Sequence, residues 1–237
     1  MTYLKATKTA TYGFLSALPL FLLYEVSILF VNHGSPTGVR VGADVWMKQL
    51  LVAVGAPGMV AVGVAVLAIG IAVFVRDRRK DIPIRTSYFG GILLESLVYA
   101  VVVALMVSAA VSVLLPMAAQ SQIGEMGLFT QLSLSLGAGL YEELVFRVIL
   151  VGGMFWILTR LGSRPRAAYI VAAVVGAALF SAVHYIGVFG DPFSVASFLF
   201  RFLFGLALNA IFLLRGFGVA AWTHALYDVL VVSGLMG

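Results

Sequence analysis

The 237-residue sequence contains no cysteine. That excludes a disulfide framework, a thiolate nucleophile and any cysteine-ligated zinc or iron–sulfur centre, and leaves Glu, Asp, His, Ser or a bound ion for any chemistry. Charge is nearly as scarce. Asp, Glu, Lys and Arg make up 11% of the residues where a soluble domain carries about 25%, while 62% are hydrophobic and the mean hydropathy is +1.09. A chain with so little to hydrate is solvated by lipid, so cytosolic, secreted and disordered classes are excluded. Internal repeats, low-complexity tracts and an H-E-x-x-H zinc-protease helix are also missing.

What is present is long apolar runs. A helix of about 20 apolar residues crosses a hydrocarbon core of about 30 Å. Such spans are predicted at about Thr9–Val31, Gly58–Val75, Ser87–Met117, Leu128–Leu158, Ala167–Gly187, Val195–Leu214 and Phe217–Leu235. The expected fold is an all-α, polytopic membrane protein of about seven transmembrane helices, forming a single integral membrane domain over residues 1–237.

The net charge of +5 and pI near 9.6 are topology signals rather than a nucleic-acid footprint. With the N-terminus cytoplasmic, eleven of the fifteen basic residues fall inside: Lys5, Lys8, Arg76, Arg78, Arg79, Lys80, Arg85, Arg160, Arg164, Arg166 and Arg215. The opposite face receives only Arg40 and Lys48, and the loops around Ser121 and Asp191 carry no basic residue. The C-terminus is therefore expected outside, in a multi-pass protein of the cell membrane whose surroundings are lipid, with no nucleic acid. The first span exceeds the roughly 7–15-residue core of a cleaved signal peptide and holds Pro19 and Glu25, so an uncleaved anchor is expected. Pro19 should kink it, with Ser16 or water satisfying the freed carbonyl. Gly34, Pro36, Gly38 and Gly42 mark an extracytoplasmic loop from Asn32 to Pro57, carrying a short interfacial helix over Asp44–Val54.

Inside the spans stand Glu25, Glu95, Glu142, Glu143, Arg147, His184, Arg201, His224 and Asp228. A central Asp, Lys or Arg costs about 2.5–3.5 kcal/mol to insert, so each is a functional candidate or half of a buried pair. Glu143 and Arg147 are i,i+4, the favourable order for an acid–base pair on one helix face. Glu142, about 100° round the helix, has no local partner and is the chemical candidate. Phe180 and His184 share the i,i+4 spacing, as do His224 and Asp228. A free carboxylate, two imidazoles and a further carboxyl suffice to activate water and stabilise an oxyanion. Glu142, His184 and His224 are equally a sufficient ligand set for one divalent ion such as zinc.

Glu142-Glu143-Leu144-Val145-Phe146-Arg147 fits E-E-x-x-x-R, Phe180 to His184 fits F-x-x-x-H, and His224 to Asp228 fits H-x-x-x-N/D. In this order on successive helices they resemble the CPBP intramembrane proteases, which comprise the type II CAAX prenyl endopeptidases and the bacterial Abi or bacteriocin-processing proteins. The resemblance covers roughly Gly137 to Val231 and implies a catalytic core over about residues 127–235. It implies an endopeptidase acting on a membrane-associated or CAAX-like substrate, a peptide or protein that can be lipidated. Catalytic roles fall to Glu142 and His184 for water, and to His224 and Asp228 for the oxyanion. Glu143, Arg147 and Phe180 become structural support. The metalloprotease and metal-free glutamate-protease readings both stay open. Val148 stands where the family commonly has glycine, beside the site, and Asp228 where asparagine is frequent. An ionised Asp228 would repel an oxyanion, so it is expected protonated or paired.

Other readings remain. Glu25, Glu95, Glu142 and Asp228 could relay protons in a transporter, and a catalytically silent adaptor or immunity protein is a third possibility. Counted from the inner ends, Glu142 and His184 lie about 25 Å up their helices, but His224 about 10 Å and Asp228 about 16 Å. Glu25 and Arg201 are expected to pair near the outer boundary, and Glu95, without an assigned partner, to line a substrate entrance. The Phe-rich run from Phe198 to Phe204 is expected to face lipid or fill the core.

Overall fold

The computed structural model of the protein describes residues 1–35, 38–55, 58–114, 126–187 and 190–236. Pro36, Pro57, the loop around Ser121 and the end of the predicted third span lie outside the described residues. Everything described is helix, turn or irregular, with no strand among the described residues. The helices are α1 (Tyr3–Thr7), α2 (Ala10–Val31), α3 (Gly42–Ala53), α4 (Gly58–Asp77), α5 (Thr86–Leu114), α6 (Leu128–Gly137), α7 (Gly152–Arg160), α8 (Pro165–Val183), α9 (Val195–Arg215) and α10 (Phe217–Val232). Two π-helical stretches, Ala138–Glu142 and Leu144–Val151, join α6 to α7.

Four helices among the described residues are long and apolar enough to cross a membrane: Ala10–Val31, Thr86–Val113, Pro165–Val183 and Val195–Arg215. The protein is a multi-pass membrane protein. The last apolar helix, Phe217–Val232, has 16 residues and rises only about 24 Å. The predicted Leu128–Leu158 span appears as α6, the two π stretches and α7, and the short helix expected near Asp44–Val54 is α3.

Local chemistry sets the helix ends. Thr9 caps α2 by accepting the Tyr12 amide, Ser194 caps α9 by accepting the Ser197 amide, and Pro165 opens α8 where its missing N–H costs nothing. Gly216, at φ 90°, turns α9 directly into α10, a conformation that an L side chain rarely adopts.

Short and central, α10 packs against α2, α5, α6 and α9. Its buried face is built largely of small residues, Gly218, Val219, Ala220, Ala221, Thr223 and Ala225, which let neighbouring backbones come close. Near Pro19, α2 is tied to this helix, because the Trp222 indole donates to the Ser16 carbonyl at 2.8 Å. The Ser16 hydroxyl itself bonds the Tyr12 carbonyl at 2.6 Å, one turn earlier than the carbonyl it was expected to satisfy.

One expected partnership is corrected, and Glu95 receives a partner that the sequence did not assign. Glu25 pairs with Arg40 at 3.3 Å and Lys48 at 2.9 Å, and accepts the Tyr141 hydroxyl at 2.7 Å, rather than meeting Arg201. Asp44 completes this network, bonded to Arg40, Lys48 and the Tyr24 hydroxyl. Glu95 meets Arg215 and the Tyr3 hydroxyl, while Arg215 also donates to the Leu4 carbonyl and Thr7. Arg215, first read as a loop charge, is thus a buried anchor for the N-terminal segment.

The same anchor removes the mismatch in depth. Beside Arg215–Glu95, the Ser96 hydroxyl donates to the Val219 carbonyl at 3.1 Å. The α9–α10 turn therefore sits nine to ten residues into α5, about 14 Å above its start. From there α10 rises until Tyr227 stacks on Phe200, which packs at the level of Val103 and Val107. His224 then lies about 25 Å up, level with Glu142 and His184.

Candidate active site

The helix that carries Glu142 is wound as π on both sides of Glu143. Such wide turns are rare and concentrate at functional sites. Nothing in the sequence spacing predicts this change of winding. At Gly139 the helix touches α10 so closely that a Cβ would stand 2.5 Å from Ala225 Cβ and 2.6 Å from the Ala221 carbonyl oxygen.

Glu143 is fully buried. Its Oε1 lies 3.0 Å from Arg147 Nη1, the pairing expected from the i,i+4 spacing, and also 2.8 Å from His224 Nδ1. The second contact comes from another helix and has no signal in the sequence. Arg147, 1% exposed, lies over the Phe180 ring at 4.5 Å from its centroid.

Glu142 faces a different space, with 16% of its side chain accessible. Its Oε2 has no hydrogen-bond partner among the described residues. That oxygen is 3.9 Å from His184 Nε2, beyond direct hydrogen bonding. His184 ends α8, with Nδ1 2.7 Å from the Phe180 carbonyl. A carbonyl only accepts, so Nδ1 carries the proton and a neutral His184 presents the lone pair of Nε2 toward Glu142.

By the same logic the His224 Nδ1–H is donated to the Glu143 carboxylate. His224 Nε2 faces Asp228 Oδ2 at 3.6 Å. Phe180 touches both imidazoles edge-on, with centroids 5.0 Å from His184 and 5.8 Å from His224. Phe204 packs against His224 at 5.6 Å and Tyr227 against Phe204 at 4.4 Å. The inward part of the Phe-rich run thus walls the cluster, a role that a run of phenylalanines does not announce. Val148 is 40% exposed and faces outward, so the departure from glycine does not crowd the cluster.

The cluster joins four elements: the Glu142–Arg147 segment, the C-terminus of α8, the inner face of α9 and the buried face of α10. Residues 124–230 match the family model described as type II CAAX prenyl endopeptidase Rce1-like. That match covers somewhat less than half of the chain and supports a CPBP family intramembrane protease. No curated protein and no solved structure matches it. The match supports intramembrane endopeptidase activity in general and a peptide or protein substrate. The matched segment contains all three sequence motifs, and their side chains face one another across α8 and α10.

Both imidazoles keep Nε2 unengaged by backbone, the donor chemistry a zinc ion takes. As placed, however, no three His, Asp or Glu side chains among the described residues stand together as a metal-binding group. Glu25 and Glu95 lie in separate closed ion-pair networks and are not part of the Rce1-like cluster.

Proposed function

We propose that the protein is an intramembrane endopeptidase of the cell membrane, hydrolysing a peptide bond of a membrane-associated or CAAX-like substrate. The observation that carries this reading is the 3.9 Å gap between Glu142 Oε2 and His184 Nε2, two acceptors aimed at one point. A water about 2.8 Å from each would donate one proton to the carboxylate and one to the imidazole, leaving an oxygen lone pair for a substrate carbonyl.

Attack forms the bond from water oxygen to carbonyl carbon while Glu142 takes the proton. The carbonyl electrons move onto oxygen, where His224, doubly protonated, donates from Nε2–H and protonated Asp228 adds a second donor. Glu143, held by Arg147, keeps the His224 ring in place through Nδ1–H. Collapse breaks the carbon–nitrogen bond, and Glu142 returns its proton to the departing amine. The products are a carboxylic acid, which keeps the second water proton until it ionises, and an amine.

The transporter reading has less support, because Glu25 and Glu95 are each neutralised in place and do not extend a relay from Glu142. The test is purified protein in lipid with two quenched fluorogenic substrates, a prenylated CAAX peptide and an unmodified transmembrane peptide, with and without a chelator. Wild type should cleave at least one, and Glu142→Gln, which cannot accept a proton, should lose about 10²–10⁴-fold in kcat while inserting normally. Full activity of Glu142→Gln, or no cleavage of either peptide by wild type, overturns the proposal. A wild-type rate abolished by chelation and restored by zinc would assign the water to a metal.

A further inference from the structure

His184 is the one member of the cluster that does not sit within a helix. It caps α8, and the chain beyond it turns through Gly187, at φ 97°, before α9 begins. A side chain at such a helix end is fixed only if the turn after it is fixed, and two features bind this turn. The Asp191 amide donates back to the His184 carbonyl at 2.9 Å, so Asp191 and His184 move together. The Asp191 carboxylate is in turn gripped by Arg201 from α9.

Arg201 is held in place itself. It donates to the Tyr185 hydroxyl at 3.0 Å and to Ser197, and it lies 5.3 Å from the Tyr185 ring centroid. One guanidinium therefore fastens both residues that flank the His184 turn, Tyr185 and Asp191, to the first turns of α9. The same α9 carries Phe204 against His224. The α9 face thus sets the positions of both imidazoles, one through a clamp and one through packing.

We infer that Arg201 and Asp191 are positioning residues that hold His184 Nε2 opposite Glu142 by clamping the turn after α8. This rests on the reading of Glu142 and His184 as the water-activating pair. A base displaced by about 1 Å costs on the order of 10²-fold in rate, so a loosened clamp should act on the chemical step. Arg201 also interacts electrostatically with Glu142, His184 and Asp228, which defines the rival role of direct charge stabilisation.

A double-mutant cycle separates the two. Arg201→Gln, Asp191→Asn and the double variant are compared with wild type on the cleaved fluorogenic peptide, with Glu142→Gln as the control. The clamp predicts that each single variant loses about 10²-fold in kcat at unchanged KM, and that the double variant loses no more than either single one. Arg201→Lys, which keeps the charge within reach of Asp191, should recover part of the loss. Direct charge stabilisation predicts instead that Asp191→Asn stays at wild-type kcat or above, because it frees the cation, and that result overturns the inference.

A second readout does not depend on turnover. The chain has three histidines, so 15N-histidine spectra resolve each ring. Asp191→Asn should move the His184 signals and leave those of His224, which Glu143 holds; unchanged His184 signals would also overturn the clamp. This reading stands if Arg201→Gln fails to insert, since Asp191→Asn alone decides it. An active Glu142→Gln protein would refute the proposed function while leaving the spectroscopic test of the clamp intact.

Discussion

Glu142 and Glu143 are neighbours in sequence with opposite surroundings. Among the described residues Glu142 Oε2 has no hydrogen-bond partner and lies 3.9 Å from His184 Nε2, whereas Glu143 Oε1 is held between Arg147 and His224. Much of this was legible beforehand: the i,i+4 partner claimed Glu143, which left Glu142 free. The bond from Glu143 to His224 was not, because it joins residues 81 positions apart on different helices and depends on packing that no spacing encodes. The same limit explains why Glu25 was given a wrong partner and Glu95 none. Arg147→Ala follows from the residue scale. It strands the buried Glu143 carboxylate, and breaking one side of a buried pair costs about 3–5 kcal/mol. Denaturation in detergent should show that loss, while the folded fraction retains more kcat than Glu142→Gln because Glu143 still holds His224. Normal stability with abolished turnover would contradict a supporting role for Arg147.

At the scale of elements, the decisive contact is between the π-wound segment and α10. The widened helix brings Gly139 against Ala221 and Ala225, which lie about one turn before His224 and directly after it. Gly139→Ala cannot be absorbed by a flexible tip, since the atoms in its way are a backbone oxygen and a Cβ. It should push α10 away from Glu142, lowering kcat at least tenfold and the midpoint of thermal unfolding together, whereas Gly153→Ala, which meets nothing within 4 Å, should do neither. A fully active and stable Gly139→Ala protein would mean that the two helices are not held at this distance. Helix existence was readable from apolar runs. The π winding and the sunken start of α10 were not, because both are set by how closely small residues let helices approach.

A second element-scale joint lies where α4 meets the start of α2. Burial alone would raise the Asp77 carboxyl, but hydrogen bonds from Lys80 and from the Thr11 hydroxyl and amide outweigh it and hold Asp77 below the ordinary carboxylate value. A depressed acid stabilises the fold above its unfolded pKa, and that contribution disappears as pH falls through the folded value. The stability gap between wild type and Asp77→Asn should be full near neutral pH and close progressively below about pH 4. A gap that persists at pH 3 would show that the carboxylate charge is not what ties the two helices.

For the whole molecule, the contacts gather three of the chain's basic segments at one end. Thr11 meets Asp77, Tyr12 meets Pro83, and Arg215 meets Leu4 and Thr7, so the N-terminus, the Arg76–Arg85 stretch and the end of α9 share one side of the bundle. Arg40, Lys48 and α3 lie at the other end of α2, beside Glu25. An end so rich in cations is predicted to be the cytoplasmic one, which would direct α3 and the C-terminus outward. The absence of cysteine makes this directly testable, because every introduced thiol is the only one present. Cysteines placed at the exposed positions Val54 and Leu235 should react with a membrane-impermeant maleimide on intact cells, and those at Ile84 and Leu161 only after lysis. All four positions leave the basic residues untouched, so the label reports the native orientation. The reverse pattern would invert the protein. It would also move the cluster, about 25 Å from the basic end, from the outer half of the bilayer to the inner.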